Sequence, residues 1–309
     1  MALMRSMLLA ASQNAWLRSN AVKFPFVRRS VSRFMPGETV DAALGAAQSL
    51  LQKKIGSVFT HLGENVTDRN EARQVTDHYL AVLDRIHQAS LPTEVSVKLT
   101  QLGLDLSTDF CFENLERIIQ GEKPTATVWV DMEASNYVDV TLDIYRRALD
   151  KYPNVGICLQ AYLYRTKKDF SELLSLHPSI RLVKGAYKAP ATIAHAKKAD
   201  VDESYFALAQ EMLRAKLAGN CPRVAFGTHD VALIRRLNDF LAGQGIAKSQ
   251  LEIQMLYGIQ RAEQERLAQE GCRSIVLVAY GTYWYPWFVR RLAERPANVW
   301  FVLRNVFAS

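Results

Sequence analysis

Eight short apolar runs recur along this chain of 309 residues, and nearly every one ends on a polar or charged group. They are Ile55 to Leu62, Val95 to Lys98, Val128 to Asp131, Val155 to Tyr162, Ile180 to Tyr187, Arg223 to His229, Leu251 to Tyr257 and Ser274 to Tyr280. Such continuity suits strands buried on both faces better than half-exposed antiparallel ones. Segments with helical spacing separate them, for example Leu142, Tyr145, Leu149 and Leu233, Leu237, Leu241. Asp230 is placed to cap one of these helices, and Gly219 and Gly271 stand where two others should stop. Strand and helix in strict alternation mean a parallel sheet, and eight repeats fit a closed (β/α)8 barrel. The competing arrangement is an open doubly wound sheet. It normally carries a Gly-rich loop after its first strand, where this chain reads His61-Leu62-Gly63-Glu64. The Gly243 to Gly245 pair lies between a helix and a strand and reads as an ordinary loop.

Hydrophobic residues make up 49% of the chain, enough for one large core, and no linker divides it. The expected organisation is a basic N-terminal helical segment, residues 1–37, followed by a barrel over 38–309. Cys111, Cys158, Cys221 and Cys272 form no CxxC, so neither a disulfide framework nor a zinc site is expected, and a reducing cytoplasm is the simplest compartment. The histidines show no metal-binding spacing. Charge is concentrated at the start: Arg5, Arg18, Lys23, Arg28, Arg29 and Arg33 precede the first acid, Glu38. Three readings of that segment stay open, namely a transit peptide, a membrane-surface helix on the inner face of the cytoplasmic membrane, or helices packing beneath the barrel. The nearly neutral remainder has no basic stripe for nucleic acid.

In a (β/α)8 barrel the C-terminal strand ends meet at one mouth. Lined up, they bring together Glu64, Lys98, Asp131, Gln160, Arg181, Lys184, Thr228, His229, Tyr257 and Tyr280, above an expected apolar floor. Lys98 and Arg181 sit in otherwise apolar strands and need an anion, and Asp131 is the natural candidate. A structural Lys98–Asp131 ion pair at the rim and a functional site are both open readings. After the eighth run, Trp284, Trp287 and Phe288 accompany the doublet Arg290-Arg291. Adjacent helical residues diverge by about 100°, and guanidinium forks suit a carboxylate. Lys98, Arg290 and Arg291 outweigh Asp131, so an anionic ligand group is expected.

These residues carry a family resemblance. Arg181-Leu-Val-Lys184-Gly185-Ala186-Tyr187, Gln160-Ala-Tyr162-Leu, Thr228-His229, Gln254-Met-Leu-Tyr257-Gly258 and Arg290-Arg291-Leu-Ala-Glu294 resemble monofunctional bacterial proline dehydrogenase, in order from about Phe34 to Phe301. The resemblance implies a distorted (β/α)8 barrel holding FAD without covalent attachment. It implies oxidation of L-proline to Δ1-pyrroline-5-carboxylate, the first step of proline catabolism, with electrons passed to a membrane quinone. Carried over by position, Asp131 and Arg181 are catalytic, Arg181 lying near flavin N5. Lys98, Arg290 and Arg291 bind the substrate carboxylate, and Glu64 gates the mouth by pairing with the first arginine. Met132, Gln160, Lys184, Gly185, Ala186, Thr228 and His229 line the flavin, with Gly185 allowing close backbone approach to it.

Two departures affect the substrate wall, to which Tyr257 also belongs. Leu277 stands where the family usually has a tyrosine against the proline ring, and Trp287 replaces another aromatic, usually tyrosine. Related cyclic or N-alkyl amino acids are therefore alternative substrates. Two rivals to the resemblance are a Schiff-base aldolase using Lys98 or Lys184, and a non-catalytic membrane-surface protein built on the basic segment.

Overall fold

The computed structural model describes residues 31–294, with side chains for residues 31–289. Eight parallel strands close into a barrel in sequence order. They are β1 (Gly56–His61), β2 (Thr93–Val97), β3 (Val128–Val130), β4 (Val155–Gln160), β5 (Ser179–Val183), β6 (Arg223–Gly227), β7 (Glu252–Leu256) and β8 (Arg273–Tyr280). Closure is made by β1 against β8, with Val58 opposite Leu277 and His61 opposite Tyr280. The fold class expected from the eight runs is the one observed. Several runs extend past their strands, because the polar residues after β4, β5 and β6 belong to the loops of the mouth.

The helices are α1 (Val40–Leu51), α2 (Arg69–Gln88), α3 (Thr108–Gly121), α4 (Val138–Leu149), α5 (Thr166–Leu173), α6 (Lys198–Leu217), α7 (Val231–Gly243), α8 (Arg261–Gln269) and α9 (Trp284–Glu294). Their starts are set by side-chain caps at Thr39, Asp68, Ser107 and Asp230, whose oxygens accept first-turn N–H groups. Gly219 and Gly271 follow α6 and α8 at φ +81° and +85°, a left-handed turn that favours glycine. The apolar stripes of these helices bury Tyr79, Leu83, Leu115, Leu142, Tyr145, Leu213 and Leu237 against Val95, Val97, Val130, Ile157, Leu182 and Phe226 of the strands. Each such side chain contributes about 1.5–3 kcal/mol on burial, so the layer between sheet and helices dominates stability.

Residues 1–30, most of the basic segment, lie outside the described residues. Val31, Phe34 and Met35 pack with Leu62, Trp284 and Phe288, tying the chain preceding α1 to α9. Trp284 Nε1 donates to Glu38 Oε1 at 2.8 Å across the same seam. Gly258, at φ +76°, is required there: a Cβ would stand 1.5 Å from the Arg33 carbonyl oxygen.

Candidate active site

Side chains on a barrel strand alternate between the helix layer and the lumen. In β2, Val95 and Val97 take the helix side, which turns Glu94, Ser96 and the following Lys98 inward. The same alternation turns Trp129 and Asp131 inward from β3, Cys158 and Gln160 from β4, Arg181 from β5, and Glu252 and Gln254 from β7. These groups meet across the lumen.

Asp131 is the junction of the upper layer. Its Oδ2 accepts from Lys98 Nζ at 2.9 Å, and its Oδ1 accepts from Arg181 Nη2 at 2.5 Å and from Ser96 Oγ at 2.8 Å. The Arg181 side chain is 3% exposed, against 17% for Lys98 and 19% for Asp131. Burial works against the charge on Asp131, but Lys98 and Arg181 beside it hold the carboxyl below its ordinary range. Burial likewise opposes the Lys98 ammonium, and Asp131, aided by Tyr187, raises its pKa instead. Two cations therefore share one carboxylate, which leaves the cluster positive in sign. The expected Lys98–Asp131 pair exists, and Arg181 makes it a triad.

A second set fixes the rim. Glu133, buried behind Lys98, accepts from the backbone N–H and hydroxyl of Thr100 at 3.0 and 2.6 Å. This carboxylate satisfies the start of the short 3-10 turn Leu99–Leu102, for which Lys98 is the N-cap residue without a side-chain cap of its own. Burial raises the Glu133 pKa, and Glu64, in the loop after β1, adds to the rise. Gln160 Nε2 donates to the Met132 and Glu133 carbonyls, both at 3.2 Å. Its Oε1 is buried and unpartnered among the described residues, as is the Tyr162 hydroxyl. A buried amide oxygen without a donor costs about 1–3 kcal/mol unless a ligand supplies one. The ring N–H of an isoalloxazine is such a donor, so Gln160 fits the flavin wall assigned to it.

Gly185 sits at φ +108°, and a Cβ there would lie 2.1 Å from the Tyr162 ring, so its close approach is to Tyr162. Lys184 Nζ is held by Asp202 at 2.5 Å and Asp230 at 2.7 Å. Burial opposes ionisation of Asp230, yet the Lys184 hydrogen bond and charge bring its pKa down to about 2. Thr228 is buried, its N–H donating to the Gln254 carbonyl and its hydroxyl accepting from Asp230 N–H. His229 Nε2 accepts from Leu256 N–H at 2.8 Å, leaving Nδ1 to carry the proton of the neutral ring. Met132 is buried and Ala186 exposed. Leu277 and Tyr257 are half-buried, and Tyr257 N–H donates to the Leu277 carbonyl, so the two share one wall. Trp287 packs at the edge of the Trp284–Phe288 cluster. Arg290 and Arg291 lie on α9, which leaves β8 on the mouth side; their side chains are outside those described.

The floor corrects one expectation. It is not purely apolar: beside Val58, Ala225 and Ile275, Arg223 joins Glu94 and Glu252 in a buried cluster, with the Trp129 Nε1–H donating to Glu94 at 3.0 Å. Position-by-position alternation within β2, β6 and β7 marks these charges as lumenal. Sequence reasoning also missed Glu133 and Tyr187. The latter follows β5 in the run that carries Arg181 and Lys184, and it contributes to raising the Lys98 pKa.

Residues 43–304 match the family model described as proline dehydrogenase. The chain is 37% identical to proline dehydrogenase 1 of Bacillus subtilis subsp. natto, covering 98% of this chain and 99% of that one. It is 38% identical to the proline dehydrogenase of Deinococcus radiodurans over 89% of each. Among solved structures it resembles proline utilization A from Bdellovibrio bacteriovorus inactivated by N-propargylglycine, with a TM-score of 0.81 and 23% identity. That superposition covers 94% of this chain and 36% of that one, and it bears on the fold alone.

Proposed function

This chain belongs to the proline dehydrogenase family, and from that premise we propose how its residues divide the work of oxidising proline. It is an oxidoreductase of proline catabolism. In our reading the lumen holds FAD without covalent attachment, the substrate is L-proline, and the electrons leave to a membrane quinone. The carrying observation is the Lys98–Asp131–Arg181 triad, in which a half-buried and a buried cation share one carboxylate.

Lys98 keeps its ammonium charged through Asp131 and offers it to the substrate carboxylate, with Arg290 and Arg291 on α9 completing the clamp. Asp131 orients Lys98 and Arg181 together, so the carboxylate end and the oxidised ring carbon are placed by one group. Bound FAD supplies the hydride acceptor. Arg181 would set a fixed positive charge toward the bound flavin. Gln160 Oε1, Thr228 and His229 line the cofactor wall, and Lys184, with Gly185 and Ala186, frames its tail. Glu64 gates the mouth through Arg290.

Leu277 supports a second reading at the level of substrate. An apolar side chain where the family usually has a hydroxyl admits a related cyclic or N-alkyl amino acid. The aldolase alternative fares poorly, because Lys98 is stabilised as an ammonium and Lys184 is bound by two carboxylates. An amine nucleophile must be neutral. Of residues 1–37, those before the packed stretch from Val31 to Met35 would dock the enzyme on anionic lipid near its quinone; among the described residues no helix is long and apolar enough to cross a membrane. The test is the purified protein's colour and what acid releases from it. The reading expects yellow protein that gives up intact FAD; a colourless protein trapped by borohydride with a carbonyl substrate contradicts it.

A further inference from the structure

The lower half of the lumen contains a closed circuit of polar contacts that returns to Arg181. Arg181 Nη1 donates to Gln254 Oε1 at 3.2 Å, and Gln254 Nε2 donates to Glu252 Oε1 at 2.8 Å. Arg223 grips Glu252 through Nε and Nη2 at 2.9 and 2.8 Å, and reaches Glu94 with Nη1 and Nη2. Glu94 Oε2 accepts from Trp129 Nε1. The Trp129 ring then lies 5.0 Å from the Arg181 guanidinium carbon, and equally from that of Arg223. Every link is buried or nearly so, where such contacts are strong and a missing partner is costly.

Gln254 has one orientation in this circuit. Turning its amide over would set its NH2 against a guanidinium and its oxygen against the Glu252 carboxylate. Arg181 has five N–H donors. Nε goes to Cys158 Sγ, Nη2 to Ser96 and Asp131, and one Nη1 hydrogen to Gln254. The second Nη1 hydrogen has no partner among the described residues. Because the guanidinium is planar, the Gln254 bond fixes the direction in which that last donor points.

We propose that Gln254 and Trp129 are positioning residues for proline oxidation: together they lock the Arg181 plane from below and aim its open Nη1–H at the cofactor and substrate. Neither touches the reacting atoms. The role of the floor cluster is to hold Gln254 and Trp129 rigid, which accounts for charges buried at the end of the barrel remote from the mouth. The inference rests on the reading that Arg181 faces the flavin.

Gln254→Met keeps length and volume while removing both hydrogen bonds, and Trp129→Phe keeps a ring under Arg181 while breaking its tie to Glu94. With L-proline and a soluble dye, Gln254→Met should lower kcat at least tenfold, while KM stays within about threefold, as expected when orientation rather than binding is lost. The reduction potential of the bound flavin should fall in the same variant. Trp129→Phe should shift both quantities in the same direction by less, and it serves as the test if Gln254→Met does not fold. Arg181→Met is run alongside. If Arg181→Met lowers kcat and the potential but Gln254→Met leaves both at the wild-type values, the positioning role is overturned. If Arg181→Met itself leaves both unchanged, the reading of Arg181 is what fails.

Discussion

Replacing Asp131 with asparagine removes one negative charge from between the buried Arg181 and the half-buried Lys98 and leaves the shape unchanged. The Arg181 side chain is 3% exposed and that of Lys98 is 17% exposed, so water cannot readily take over the lost charge. Removing one partner from a buried ion pair costs about 3–5 kcal/mol, because the survivor remains desolvated. The amide oxygen of the Asp131→Asn variant can still accept from one of the cations, which sets the expectation at about 3 kcal/mol, the lower end of that range; Asp131→Ala should reach the upper end. For a barrel of this size, about 2–4 °C per kcal/mol predicts a fall in Tm of roughly 6–12 °C for Asp131→Asn. Urea unfolding of wild type, Asp131→Asn, Lys98→Met and the double variant measures the coupling directly. The double variant should lose less than the sum of the singles by about 1–3 kcal/mol. Additivity within about 0.3 kcal/mol would refute the argument that Asp131 is retained by the cations. Asp131 is depressed below its ordinary 3.8, so its stabilisation is present above that pH and is lost as pH falls through the lower folded value.

Other outcomes follow from the same geometry. His61 is pushed down to about 4, first by burial and then by His78. Its stabilisation is present above pH 6.5 and drains away as pH falls towards 4, by an amount on the order of 3 kcal/mol; urea unfolding at about pH 7.5 and about pH 4.5 should show His61→Gln losing much of that slope. Gly185→Ala meets both the Tyr162 ring at 2.1 Å and a φ of +108°, and should lower Tm and the flavin retained on purification, with the strain alone costing about 1–3 kcal/mol. Arg291→Met should raise KM for proline at least tenfold with flavin still bound. Deleting residues 1–30 should weaken binding to anionic liposomes more than it slows proline oxidation by a soluble dye.

What was legible in the sequence followed from physics that acts locally. A strand covered on both faces must be apolar over its length, so eight continuous runs announced the barrel, and Asp230, Gly219 and Gly271 marked helix ends through cap chemistry that needs no tertiary partner. Lys98, Asp131 and Arg181 were legible together because a charge within an apolar strand demands a counter-charge. The floor was not. Glu94, Arg223 and Glu252 stand at strand starts, where charged residues also serve as ordinary turns, and only the alternation Glu94, Ser96, Lys98 against Val95, Val97 shows that they point inward. Glu133 caps a turn from another strand's loop, a contact with no signal in spacing. In sequence Gly185 reads as making room for cofactor; its second neighbour, the Tyr162 ring brought alongside when β4 and β5 pair, has no signal in spacing.

Proline oxidation by a bound flavin is tested most directly by an anaerobic titration of the purified protein with L-proline, followed through the flavin's visible absorbance. The flavin should bleach stoichiometrically, and its colour should return when a quinone is added. A bound flavin that keeps its absorbance at saturating L-proline would contradict it.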